Sequence, residues 1–138
     1  RIGFCIGNEK LIQYLNDVKF SFNSYTMNYP AQVLGVEAVK DEAYFKETTG
    51  KIVATRERVK EELRELGFSF PDSKANFIFA SHKEVPAEEL FEVLRSENIY
   101  VRHWNKPRIG NSLRITVGTD AEMERLVTFL REYLQKRV

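Results

Sequence analysis

Apolar positions recur with two different periods along this chain, and the change falls near Gly67. The opening, Arg1-Ile2-Gly3-Phe4-Cys5-Ile6-Gly7, reads as a buried strand closed by glycine. It has no initiator methionine and no lead-in, so the expectation is a piece of a longer polypeptide. Asn8 is placed to cap a helix whose Leu11, Ile12 and Leu15 lie about a turn apart. Residues 19–30 are aromatic and polar without a period and read as an ordered connection. Pro30 suits the first turn of a second helix, with Val33, Leu34 and Val39 as its apolar face. Asp41 opens a long helix to about Leu66, with a narrow stripe of Phe45, Ile52, Val59, Leu63 and Leu66. Gly50 weakens that helix in the middle. The charged remainder (Arg56, Glu57, Arg58, Lys60, Glu61, Glu62 and Glu65) reads as a solvated face, and Gly67 as a C-terminal cap.

Beyond Gly67 short alternating runs take over. Phe68-Ser69-Phe70 and Asn76 to Ala80 are predicted strands joined through a Pro71-Asp72-Ser73 turn. Pro86 starts a helix with Leu90, Phe91 and Leu94 on one face. Residues 99–102 and 113–117 are further strands, and Thr119-Asp120-Ala121-Glu122 is a capping box. The closing helix puts Met123, Leu126, Val127, Leu130 and Leu134 on one side. The order strand–strand–helix–strand–strand–helix predicts an α+β unit, a small and mainly antiparallel sheet covered by helices. The chain then divides into residues 1–40, a long connecting helix at 41–66, and a second domain at 67–138.

Composition narrows the function classes more than it selects one. The 138 residues are 43% hydrophobic and 30% charged, the profile of a globular domain. Lys+Arg 21 against Asp+Glu 20 leaves +1, with both signs interleaved, so no footprint for nucleic acid or an anionic membrane is present. No apolar run is long enough to span a bilayer, and the start lacks the basic and apolar regions of a signal peptide. The single cysteine, Cys5, fits a reducing compartment and reads as a small buried hydrophobe. His82 and His103 have no metal-ligand spacing, and there is no glycine-rich phosphate loop. His82, beside Lys83-Glu84, reads as a surface residue; His103, between Arg102 and Trp104, receives no role.

The informative polar residues are arginines on strands. Alternation sends Leu113, Ile115 and Val117 to one face and Arg114 and Thr116 to the other. An arginine on an open sheet face is usually solvated or paired with a carboxylate. The alternative is anion binding, because guanidinium is planar and grips a carboxylate or phosphate through two parallel hydrogen bonds. Arg102 ends the preceding strand, and antiparallel pairing would bring it near Arg114. Arg108, in the Lys106-Pro107-Arg108 loop, is a weaker third candidate.

Several short segments also stand in a recognisable order: Arg1 to Phe4, Ile6 to Glu9, Val18-Lys19 with Phe22-Asn23, Ala43-Tyr44-Phe45, and Arg56-Glu57-Arg58. They continue with Leu66-Gly67-Phe68, Ser73 to Phe77, and Leu113 to Thr119. Taken along the whole chain, they resemble the C-terminal portion of the histidinol-phosphate aminotransferases, a family within the fold-type I pyridoxal-phosphate aminotransferases. The resemblance implies that residues 1–40 are the tail of a large cofactor-binding domain and 67–138 the C-terminal small domain. It implies a pyridoxal 5'-phosphate enzyme exchanging an amino group between glutamate/2-oxoglutarate and histidinol phosphate/imidazole acetol phosphate, in histidine biosynthesis. Arg1 then matches the arginine that binds the cofactor phosphate, and Arg114 and Arg102 match contacts to the substrate's anionic group. The family's Schiff-base lysine would stand eight residues before Arg1, so this chain alone is expected to lack activity. A cytoplasmic homodimer acting on small amino and keto substrates is the further expectation. Related transaminases and threonine-phosphate decarboxylases share the arrangement, and a non-catalytic anion-binding α+β module is the alternative of another class.

Overall fold

A computed structural model describes residues 2–137 and divides the chain into two compact units, residues 1–46 and 47–138. The first unit holds helices α1 (Glu9–Phe22) and α2 (Tyr29–Lys40) and the start of α3 (Glu42–Glu65). Each begins where a short polar side chain can satisfy a free backbone N–H. Asn8 Oδ1 accepts from Lys10 N at 3.0 Å, Asn28 Oδ1 from Ala31 N at 2.8 Å, and Asp41 Oδ1 from Tyr44 N at 3.1 Å. Pro30 lies in the first turn of α2, where its missing N–H costs nothing.

Two expectations fail in this unit. Residues 2–7 form no strand, because a strand needs a ladder partner and none among the described residues pairs with this segment. Phe4 and Ile6 are consequently exposed, and so is Cys5, which is not a buried hydrophobe. Residues 19–22, read as part of a connection, instead complete α1; no breaker interrupts them, and Asn23 closes the helix through its N–H to the Lys19 carbonyl at 2.9 Å.

The second unit is a four-stranded antiparallel sheet backed by α4 (Ala87–Ser96), α5 (Asp120–Gln135) and the later turns of α3. Its strands are β1 (Phe68–Ser69), β2 (Phe77–His82), β3 (Arg102–His103) and β4 (Leu113–Thr116), in spatial order β1-β2-β4-β3. Alternation assigns the core. Ile78 and Ala80 of β2, and Leu113 and Ile115 of β4, point under the sheet with Val59 and Leu63 of α3, Leu90 and Leu94 of α4, and Leu130 of α5. Burying each such leucine or isoleucine contributes about 1.5–3 kcal/mol against exposure. Gly67 ends α3 at φ +85°, and α5 begins on the capping box, Thr119 and Glu122 bonding reciprocally.

The charged face of α3 is not uniformly solvated. Arg56 and Lys60 are only 5% and 2% exposed. Arg56 donates to Glu57 and to the Ala75 carbonyl, while Lys60 pairs with Glu57 and Asp72. Buried charges persist only when paired in this way. Lys60 and Lys74 hold the Asp72 carboxyl at about 2, below its ordinary value of 3.8. The same cluster fixes the 72–75 loop that leads into β2.

His82 is likewise no surface residue. It is 7% exposed, its Nε2 is 2.9 Å from the Leu66 carbonyl, and its Nδ1 accepts from Glu84 N and Val85 N. Two donors at Nδ1 assign the proton to Nε2, so His82 ties the end of β2 to the end of α3.

Candidate anion-binding site

On the sheet face opposite the core, β3 and β4 bring two arginines together. Arg102 and Arg114 are direct antiparallel partners, the pairing expected, but the strand is Arg102–His103 rather than 99–102, so Arg102 opens it instead of ending it. Side chains directly opposed in such a pair are neighbours, and like charges there repel. Among the described residues neither arginine has a carboxylate in ion-pair distance. The Arg114 Nε is buried with no hydrogen-bond partner. An N–H donor in that condition costs about 1–3 kcal/mol unless a ligand accepts from it.

Aromatic rings flank both guanidinium groups. The Arg114 guanidinium carbon is 4.8 Å from the Phe77 ring centroid, and that of Arg102 is 5.4 Å from the Trp104 ring. Phe77 shares the register position of Thr116 and Phe79 that of Arg114, so both phenylalanines lie on the arginine face. Sequence reasoning found the arginines through alternation but did not find the rings, because the β2–β4 register decides which aromatic meets which arginine.

The remaining candidates fall elsewhere. Arg1 lies outside the described residues. Arg108 is exposed, with φ +70°, in the loop before β4. His103 points to the core side with its Nε2 2.7 Å from the Gly110 carbonyl and its ring 5.7 Å from Phe91. Its contacts tie the 104–110 loop back to β3. Among the described residues no cluster of histidine, cysteine or carboxylate side chains is arranged for a metal, and no helix is long and apolar enough to cross a membrane.

An unshared arginine pair of this kind can take a carboxylate through one fork or a dianionic phosphate through two. Comparison with known proteins narrows the context. The family model for aminotransferases of class I and II matches residues 1–130. A histidinol-phosphate aminotransferase of Brachyspira hyodysenteriae is 52% identical over 124 residues, covering 90% of this chain and 35% of the relative. One from Lactococcus lactis subsp. lactis is 49% identical over 136 residues, covering 99% of this chain and 38% of the relative. The chain thus spans little more than a third of the curated relatives it matches. The crystal structure of a Sinorhizobium meliloti histidinol-phosphate aminotransferase in complex with pyridoxal-5'-phosphate aligns at a TM-score of 0.75 with 24% identity, over 89% of this chain and 34% of that one. That likeness concerns the fold.

Proposed function

This chain belongs to the aminotransferase class I and II family, and we propose that it is the C-terminal portion of a histidinol-phosphate aminotransferase. In this reading the enzyme moves an amino group between glutamate and the ketone partner of histidinol phosphate. Residues 67–138 are its fold-type I small domain, 41–66 the connecting helix, and 1–40 the tail of the large domain. The working form is a cytoplasmic homodimer. The carrying observation is the unshared Arg102–Arg114 pair, with the Arg114 Nε buried and unpartnered.

Arg114 grips the anionic group of either substrate, the carboxylate of glutamate or the phosphate of histidinol phosphate. Arg102 supplies a second cation, which matters most for the phosphate with its higher charge. A single site accepting both anions lets the two half-reactions share one position, and orientation there sets the reacting carbon. When bound, pyridoxal phosphate supplies the electron sink for the amino transfer. Arg1 would hold its phosphate. A guanidinium suits that task, and Ile2 to Gly7 carry no charged side chain that could replace it. The lysine that moves the proton belongs to the part of the enzyme outside these residues.

Replacing Arg114 with alanine in the full-length enzyme is expected to weaken both substrates by about 30-fold or more in kcat/KM, the scale of removing one member of a desolvated charge pair. Arg102→Ala is expected to weaken histidinol phosphate more than glutamate. If steady-state kinetics with Arg114→Ala are unchanged for both substrates, Arg114 is not the anion anchor.

A further inference from the structure

We propose that Phe77 is a positioning residue for the Arg114 guanidinium, so that the anion site is set by an aromatic platform rather than by a carboxylate. The proposal rests on Arg114 being the anion anchor. Arginines are ordinarily aimed by a carboxylate or carbonyl that accepts from one side of the fork. Among the described residues Arg114 has no ion-pair partner, and its buried Nε makes no hydrogen bond. The contact its guanidinium does make is with the Phe77 ring, the guanidinium carbon lying 4.8 Å from the centroid. That distance is within the range in which a ring face attracts a cation.

Register explains how the contact arises. Phe79 is the direct partner of Arg114 and Phe77 the partner of Thr116, so Phe77 is the diagonal neighbour two positions along the same face. A long side chain can cross that diagonal and lay its charged end over the ring. A carboxylate partner would compete with a substrate anion for the same N–H groups. A ring uses the face of the cation and leaves its N–H edge free, and it also removes water from one side of the ion. Both effects leave the fork available for a bidentate ligand.

The backbone that carries the ring is itself held. Phe77 opens β2, and its carbonyl accepts from the Ser73 hydroxyl at 2.5 Å. The Ala75 carbonyl just before it accepts from buried Arg56 at 3.0 Å, and Asp72 pairs with buried Lys60. The ion cluster on α3 therefore fixes the loop that sets where the Phe77 ring stands. Phe77 touches neither substrate nor reacting atoms in this scheme and acts only through Arg114.

The test is a double-mutant cycle in the full-length enzyme with Phe77→Leu, Arg114→Ala and the pair, following KM and kcat for histidinol phosphate and glutamate. Phe77→Leu is expected to raise KM about 2- to 30-fold, the range of a cation–π contact, with a smaller change in kcat. Phe77→Tyr is expected to restore KM, because it keeps the ring face. In the Arg114→Ala background Phe77→Leu is expected to add nothing. The proposal is overturned if Phe77→Leu leaves KM unchanged, or raises it by the same factor with and without Arg114, the mark of a general packing role. Should Phe77→Leu fail to fold, stepwise fluorination of the Phe77 ring replaces it; KM rising with each fluorine supports the platform, and a flat series overturns it. Arg114→Ala alone separates the two ideas. A neutral Arg114→Ala removes the anion anchor and the platform with it, whereas a damaging Arg114→Ala with a neutral Phe77→Leu removes only the platform.

Discussion

Replacing His82 with phenylalanine isolates what its hydrogen bonds contribute, because the new ring keeps the volume and the edge contact with Phe68. Those two rings now meet at 4.9 Å and 67°. Three bonds disappear, to the Leu66 carbonyl at 2.9 Å, Glu84 N at 3.2 Å and Val85 N at 3.0 Å. They are not equivalent. Glu84 is exposed, and water recovers its N–H at little cost. Val85 is 5% exposed, so its N–H stays dry and unpaired, at about 1–3 kcal/mol. The half-buried Leu66 carbonyl adds about 1 kcal/mol. The expected loss is therefore about 2–4 kcal/mol. Urea unfolding of the chain, read by fluorescence of its only tryptophan, Trp104, measures it. The midpoint should fall by about 1–2 M with an unchanged slope. A His82→Phe chain within about 0.5 kcal/mol of the original would refute the clamp and restore the surface reading, since surface substitutions fall in that range.

Acid stability tests the buried ion cluster of α3. The Asp72 carboxyl is held at about 2 against an ordinary 3.8, so its contribution is complete above the ordinary value and lost as pH falls through the folded one. Asp72→Asn should lower stability at neutral pH and flatten its decline across that window; an unchanged acid slope would show that Lys60 and Lys74 do not hold the carboxylate. Gly50 stands inside α3 with open space where a Cβ would sit. Gly50→Ala is expected to stabilise the chain by about 0.5–1 kcal/mol, and a lower thermal midpoint would contradict an unbroken helix there.

Local chemistry was readable and long-range burial was not. Helix starts at Asn8 and Asp41, the capping box at Thr119 and the turn at Gly67 each depend on residues within one turn of each other, so spacing alone finds them. Alternation in 113–117 likewise separated Arg114 and Thr116 from the core, because the period of a strand is a property of its own backbone. The strand read at 1–7 is absent over its described residues, 2–7, for the opposite reason, since a strand needs a second segment that no local pattern supplies. Arg56, Lys60 and His82 looked solvated because their partners, Ala75, Asp72 and Leu66, are distant in sequence. Once those partners are in place, burial becomes tolerable for groups that composition assigns to the surface.

The proposed anion site combines both kinds of information. That Arg102 and Arg114 share a face follows from alternation, and their direct opposition from the β3–β4 register. Two cations in register lower the stability of the sheet on their own, and so does a buried N–H with nothing to accept it. An anion with several acceptor oxygens would lower each cost, and so would a carboxylate of the chain itself, which among the described residues is not there. The α3 cluster shows that this chain pairs buried cations with carboxylates where no ligand is required. At Arg114 no carboxylate stands within ion-pair distance among the described residues and a phenylalanine ring lies against the guanidinium, which is the arrangement the proposed anion site calls for.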